Sequence, residues 1–168
     1  MPEPGPDFEA ILEALANAGA EFMVVGGVCA VLHGAPVSTF DLDLVYSRSA
    51  ANLVRLEGAL RRMGAFYREK PQVSPDASLL DSAGHHLLMT NFGPLDLLGS
   101  TVGGAGYQDL KEHCEEVDLG AGIRVLILDL ETLIIQKERL GRDRDRAVLP
   151  ILRRTLEEQR AGGRGKKG

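Results

Sequence analysis

A glycine pair between an apolar strand and a short apolar helix constrains this chain more than any other feature. Residues Phe22–Val25 are all apolar, which predicts a buried strand. Gly26 and Gly27 follow, and glycines allow a tight turn while leaving the backbone amides uncovered. Residues Val28–Leu32 are apolar throughout, so they predict a short buried helix that ends before Gly34.

Two aspartates alternate with two leucines a few residues later. In a strand, residues two apart share one face, so Asp41 and Asp43 are predicted to point one way and Leu42 and Leu44 the other. Adjacent carboxylates repel and raise each other's pKa unless a cation lies between them. Mg²⁺ is a suitable cation, because it commonly binds one or two carboxylates together with substrate phosphates. The glycine turn and the aspartates together therefore predict a nucleotide and metal site.

This pattern resembles the nucleotidyltransferase superfamily, the group related to DNA polymerase beta. The superfamily signature is an apolar residue, Gly-Gly or Gly-Ser, a spacer, and Asp-x-Asp between apolar residues. The chain is most similar to small prokaryotic members, which include relatives of abortive-infection toxins. The similarity is close from Phe22 to Tyr46 and looser as far as Leu149. It implies that the nucleotide binds at Gly26, Gly27 and Thr39.

A third carboxylate lies in the segment Leu95-Asp96-Leu97-Leu98, which reads as a strand. A lone carboxylate between apolar residues is costly to bury without a partner. The resemblance implies that Asp96 is the third acid of the site, a metal ligand and the general base. The alternative is a surface aspartate on an edge strand.

A basic residue in a late helix is the last candidate. The segment from Lys137 to Asp145 resembles the distal element of the superfamily, which implies that Lys137 reaches the nucleotide triphosphate and that Arg142 and Asp145 hold it. A solvent-exposed, charged helix end is the alternative.

The predicted activity is Mg²⁺-dependent transfer of an NMP from an NTP to a hydroxyl acceptor. Two ions, Mg²⁺ or alternatively Mn²⁺, would be held by Asp41, Asp43 and Asp96. RNA such as tRNA, a protein side chain and a small molecule remain open as acceptors. The chain could also be one component of a toxin–antitoxin pair, with an antitoxin or other cognate protein as its partner.

A second function is a non-catalytic module that binds a nucleotide or a partner protein. Gly27 stands where many members have serine, and Val37 stands where small members often have arginine. Both differences favour this alternative. The three carboxylates favour a working site, because an idle site gains nothing from clustered acids.

The predicted fold is α/β (α+β), a nucleotidyltransferase-like twisted mixed sheet of about five strands with packed helices and a C-terminal helical segment. Residues 1–160 are expected to form one domain, followed by a disordered basic tail at 161–168. The predicted elements, besides those above, are helices Phe8–Ala18, Ser49–Met63, Tyr107–Cys114, Asp129–Leu140 and Arg142–Gln159, strands His85–Phe92, Glu115–Leu119 and Ile123–Leu128, and loops Lys70–Ala83 and Ser100–Gly106. The predicted core is Phe22–Val25, Val28–Leu32, Leu42, Leu44, Leu87, Leu95, Leu97 and Val125–Leu128.

Composition excludes several other classes. The net charge of −5 disfavours broad nonspecific binding to nucleic acid. No apolar run is long enough to span a bilayer, and the acidic, proline-rich N-terminus is unlike a signal peptide. Cys29 and Cys114 show no metal-binding spacing. A reduced, cytoplasmic protein with no membrane partner is expected.

Overall fold

The backbone of residues 4–165, with side chains as far as residue 163, is described by a computed structural model. Seven helices, seven strands and two 3₁₀ turns follow one another in these residues. In chain order they are α1 Phe8–Asn17, β1 Phe22–Val25, α2 Gly26–Leu32, β2 Leu42–Tyr46, α3 Ala50–Arg62, β3 Phe66–Tyr67, α4 Ala77–Leu80, β4 His85–Thr90, β5 Gly93–Leu98, a turn Val102–Gly104, α5 Tyr107–Leu110, a turn Lys111–His113, β6 Cys114–Asp118, β7 Arg124–Leu128, α6 Leu130–Leu140 and α7 Asp143–Gly165.

The strands of the described chain form one mixed sheet in the order β3-β4-β5-β2-β1-β7-β6. The pairs β1–β7 and β2–β5 are parallel, and the other neighbouring pairs are antiparallel. The mixed α/β architecture is the predicted one, although the sheet has seven strands rather than about five. The strand β3 has only two residues, so it is too short for an alternating sequence pattern to reveal it.

The buried core includes most of the predicted residues. All of β1, together with Leu42, Leu44, Leu95 and Leu97, is buried. Val31, in contrast, is 42% exposed, and Leu87 is only half-buried. Val31 is exposed because a helix of seven residues packs on one side only.

Leu87 is half-buried because it lies on the partly open face of the sheet. It is the register partner of Asp96, and paired residues on neighbouring strands point to the same face. Two other predicted core residues, Leu32 and Leu126, are also half-buried.

Several element boundaries differ from the predictions. The predicted loop Lys70–Ala83 contains the short helix α4, which Asp76 caps through its side chain. The predicted helix Tyr107–Cys114 is shorter, because α5 ends at Leu110 and Cys114 begins β6. None of the helices in residues 4–165 has both the length and the apolar character needed to cross a membrane.

The terminal helix is longer than predicted. It contains Pro150 and continues past Gln159 to Gly165, five residues into the segment 161–168 that was expected to be a disordered tail. The last three residues of that predicted tail, 166–168, lie outside the described residues.

A buried asparagine joins the outer ends of β1 and β2 to the helix α3. Asn52 is fully buried, and its Nδ2 donates to the carbonyl oxygens of Glu21 and Ser47 at 3.0 and 2.7 Å. Its Oδ1 accepts from the Glu21 amide at 2.7 Å. These bonds satisfy backbone groups at the end of the sheet opposite the Gly26 turn.

We expect Asn52→Ala to reduce the free energy of unfolding by about 2–3 kcal/mol, because it leaves buried backbone groups without partners. Urea denaturation followed by circular dichroism measures this loss. Asn17→Ala, at the exposed end of α1, is the control and is expected to change stability by less than about 0.5 kcal/mol. Equal effects of the two substitutions would contradict the assigned role of Asn52.

Candidate functional site

Two carboxylates lie side by side on neighbouring parallel strands. Asp43 of β2 is in register with Asp96 of β5, and Leu42 and Leu44 are likewise in register with leucines of β5. Those leucines are fully buried, so the alternation directs Asp43 and Asp96 to the opposite face of the sheet. Both aspartates are half-buried there.

This arrangement perturbs Asp43 strongly. Burial first, and then the nearby charges of Asp96 and Asp41, together raise the pKa of its carboxyl to about 7, although the Lys137 ammonium opposes the shift. A cation bound beside Asp43 would therefore strongly favour the ionised form of this carboxyl.

Asp41 is at the rim of this pair. It precedes β2, which begins at Leu42, and it is exposed to solvent. The Thr39 hydroxyl donates to the Asp41 carbonyl oxygen at 3.1 Å and so fixes the bend that leads into β2. Asp41 is close enough to raise the pKa of Asp43. It lies outside β2, however, whereas the prediction that Asp41 and Asp43 share one face assumed that both are in the strand.

Two glycines allow the turn to approach these side chains. Val25 is in register with Asp43, so Gly26 lies directly beside that aspartate. A Cβ at Gly26 would collide with Asp43 Oδ2, and the φ of 68° also favours glycine. At Gly27 a Cβ would lie 2.6 Å from Thr39 Oγ1 and 2.8 Å from Thr39 Cβ. Instead of forming a separate turn, the glycines are the first two residues of α2.

Two cations lie close to Asp43: Lys137 is on α6, and Arg142 is in the turn between α6 and α7. Asp145 is fully buried at the start of α7, and it accepts from Lys137 Nζ at 3.2 Å and from Arg142 Nε at 2.6 Å. These hydrogen bonds lower the pKa of Asp145 to about 2 and raise that of Arg142, to which the Asp43 charge also contributes. Asp145 therefore fixes Lys137 and Arg142 near the acidic pair.

A further arginine contacts the acidic pair from the other side. Arg68 Nη2 lies 2.8 Å from Asp96 Oδ1, while Arg68 Nη1 donates to the Leu88 carbonyl oxygen at 2.7 Å. This buried oxygen accepts no hydrogen bond from the described residues. Nothing in the sequence pattern marked Arg68, because it is a single arginine that precedes an irregular segment.

The residues of this site are partly suited to a divalent cation that prefers oxygen ligands. Asp43 and Asp96 supply adjacent carboxylates, and Mg²⁺ often uses only one or two protein carboxylates. Within residues 4–163, however, no three Asp, Glu, His or Cys side chains are gathered into a metal-binding group. Asp41 is the predicted ligand that stands apart.

The two histidines of β4 lie on opposite faces of the sheet. His85 is exposed. His86 is buried and in register with Leu97, so it faces the core side of the sheet, where it is within hydrogen-bonding distance of the Tyr67 hydroxyl and Ser82 Oγ.

The structure thus brings together Asp43, Asp96, Gly26 and Lys137 from four separate segments of the chain. Gly27 and Thr39 contact each other next to them. The result is an acidic pair with cations on two sides, which is an arrangement suited to a divalent cation and a polyanion bound together.

Comparison with protein-family models and with curated proteins finds no match. Solved structures do match. A candidate nucleotidyltransferase from Thermotoga maritima, TM1012, is 18% identical with a TM-score of 0.54, and the alignment covers 90% of this chain and 91% of that one.

The antibiotic-resistance factor ANT(2'')-Ia matches in two structures. Its solution structure is 15% identical with a TM-score of 0.56, and the match covers 95% of this chain and 90% of that one. Its crystal structure with adenylyl-2''-tobramycin is 15% identical with a TM-score of 0.58, covering 96% and 97%. The chain has the nucleotidyltransferase-superfamily fold, as the resemblance of its motifs predicted.

The raised pKa of Asp43 predicts how stability depends on pH in the absence of metal. The protonated carboxyl is favoured in the folded state, so its stabilisation is complete below the ordinary value of 3.8 and is lost as the pH rises through about 7. Asp43→Asn removes this dependence. Between pH 5 and pH 8 the variant should gain on the order of 2 kcal/mol relative to wild type, after allowance for partial exposure.

Urea denaturation in EDTA at several pH values measures this difference. Glu13→Gln, which removes an exposed carboxylate of α1, is the control and should keep a constant difference from wild type. A difference between Asp43→Asn and wild type that stays flat across the range would contradict the perturbed state of Asp43.

Proposed function

We propose that this protein is a Mg²⁺-dependent nucleotidyltransferase that transfers an NMP from an NTP to a hydroxyl acceptor. The observation that carries the proposal is the register pair Asp43–Asp96, which faces Lys137 and Arg142 beside Gly26 on a nucleotidyltransferase fold. Two like charges at a half-buried position are unfavourable for the protein alone, so a bound cation explains why they stand together.

Asp43 and Asp96 would hold the metal, and Asp41 would join them as the third ligand. Two bound Mg²⁺ or Mn²⁺ ions would supply electrostatic stabilisation to the attacking and leaving oxygens. The exposure of Asp41 and its position outside β2 leave its side chain free to rotate towards a cation.

The nucleotide would bind between the glycines and α6. Gly26 and Gly27 permit close approach of the phosphates, and the Thr39 hydroxyl lies against Gly27. Lys137 would neutralise the triphosphate, since its ammonium already lies near Asp43 and Asp145 fixes its position.

In the transfer, the acceptor oxygen forms a bond to the α-phosphorus and the bond to pyrophosphate breaks. Asp96 takes the proton of the acceptor hydroxyl, and pyrophosphate leaves with its negative charges near Lys137 and Arg142. A hydroxyl is the nucleophile in each of the acceptor classes considered: RNA such as tRNA, a protein side chain or a small molecule.

A small-molecule acceptor has the most support. The structure of ANT(2'')-Ia contains adenylyl-2''-tobramycin, a nucleotidylated small molecule, and that protein shares the fold over nearly its whole length. Membership of a toxin–antitoxin pair with a cognate protein, and a cytoplasmic location, are further parts of the proposal.

A non-catalytic nucleotide-binding or partner-binding module is the second candidate. It is favoured by the position of Asp41 and by the lack of a three-carboxylate metal group among the described side chains. Thermal shift with ATP, CTP, GTP and UTP, each with and without Mg²⁺, detects a working nucleotide site in either case. Release of pyrophosphate in the presence of an acceptor is expected only if the protein is a nucleotidyltransferase and not if it is a non-catalytic module.

We expect Asp43→Asn and Asp96→Asn to abolish the Mg²⁺-dependent thermal shift and to lower nucleotidyl transfer at least about 100-fold, because each removes a metal ligand. Both variants should remain folded. Asp118→Asn on the edge strand β6 is the matched control and should retain activity. Wild-type transfer by either site variant would contradict the proposed roles.

Substitution of Gly27 tests whether the phosphates approach this position. We expect Gly27→Ala to displace Thr39 and to weaken NTP binding about tenfold, because the new Cβ would lie 2.6 Å from Thr39 Oγ1. Calorimetric titration with Mg²⁺ and NTP measures the affinity. Gly58→Ala in α3 meets its nearest neighbour at 3.7 Å and should leave binding unchanged. Unchanged affinity in Gly27→Ala would place the phosphates elsewhere.

A further inference from the structure

The ion pair between Arg68 and Asp96, like that between Lys137 and Asp145, is one of the few among the described residues in which both side chains are largely shielded from solvent. Most of the others are on the exposed surface, whereas the Arg68 and Asp96 side chains are only 28% and 14% exposed. A half-buried pair of this kind is less screened by solvent than a surface pair. Its charge therefore acts strongly on its immediate neighbours.

Arg68 is held in place independently of Asp96. Its backbone amide donates to the Leu87 carbonyl oxygen at 3.0 Å, and its Nη1 donates to the Leu88 carbonyl oxygen at 2.7 Å. Both acceptors are on β4, next to β5. The guanidinium is thus held on the sheet independently of Asp96, so the Arg68 side chain loses little further conformational freedom when it forms the ion pair.

The sheet order places Asp96 between a cation and an anion. Arg68 follows β3 and is bound to β4, Asp96 is on β5, and Asp43 is on β2, which is the next strand. Arg68 contacts Asp96 Oδ1 from the β4 side. On the β2 side, the Asp96 side chain interacts with that of Asp43.

We infer that Arg68 is a positioning residue for the transfer site, which fixes the Asp96 carboxylate beside Asp43. The inference rests on the proposed function, since it assigns Arg68 a role through Asp96. Within the described residues, Arg68 forms no ion pair with Asp41 or Asp43. Its removal is expected to disturb metal binding and the chemical step rather than nucleotide binding.

Three variants test this role. Arg68→Met keeps most of the side-chain length but removes the charge and the side-chain hydrogen bond to Leu88. Arg68→Lys keeps the charge but cannot contact Leu88 and Asp96 together through a planar group. Arg61→Met is the matched control, because Arg61 forms an exposed ion pair with Glu57 at 2.9 Å on α3. Melting temperatures establish that each variant is folded.

Two measurements are made on each variant. Mn²⁺ alone is titrated by electron paramagnetic resonance, and kcat and KM are measured with the NTP that gives the largest Mg²⁺-dependent thermal shift. Arg68→Met is expected to bind Mn²⁺ at least about tenfold more weakly and to lose kcat about 10- to 100-fold, with KM for the NTP within about threefold of wild type. Arg68→Lys should recover part of both losses. Arg61→Met should match wild type.

The outcomes separate this inference from the proposed function. Wild-type Mn²⁺ affinity and kcat in Arg68→Met would overturn the role of Arg68 alone, and so would a rise in KM at unchanged kcat, which indicates direct contact with the nucleotide. Wild-type protein that binds no Mn²⁺ and transfers nothing would overturn the proposed function and this inference with it. If Arg68→Met does not fold, wild-type kcat in Arg68→Lys overturns the inference, and a reduced kcat at constant KM supports it.

Discussion

The repulsion between two carboxylates on adjacent strands is the constraint on which the site depends. Asp43 and Asp96 are brought together because the leucines on either side of each must face the core. Because side chains alternate between the two faces of a strand, both aspartates must then point to the face opposite the core. Burial of several leucine side chains at about 2 kcal/mol each outweighs the repulsion of one partly solvated pair. The core thus enforces an arrangement that the carboxylates alone would avoid.

The surroundings of the pair reduce this cost from two sides. Arg68 contacts Asp96 from the β4 side, and Lys137 and Arg142 approach Asp43 from the C-terminal helices. Asp145 has no exposed surface, and its carboxylate orients both of these C-terminal cations. These two cations are therefore held by a group outside the acidic pair. Such fixed charges suit the metal and the polyanion of the proposed function.

The C-terminal helices are also joined to the glycine segment. His33, which caps the end of α2, is within hydrogen-bonding distance of the Leu128 carbonyl oxygen at 2.8 Å and of Gln159 Nε2 in α7 at 3.0 Å. The helix α7 thereby contacts the helix that begins at Gly26, while its first turn holds Lys137. One helix therefore links both sides of the proposed nucleotide site.

The sequence by itself determined β1, the short helix after it, the paired aspartate motif and the alternation around Asp96, because each is a local pattern of apolar and polar residues. The resemblance carried by these patterns implied the fold class and the place of Asp96 beside Asp43. Only the tertiary structure decided that Asp41 lies outside the strand and exposed, that Leu87 is on the half-open face, and that Arg68 contacts Asp96. These facts depend on which strands become neighbours and in which register, and the pairing of distant strands leaves no periodic signal in the residues that it brings together.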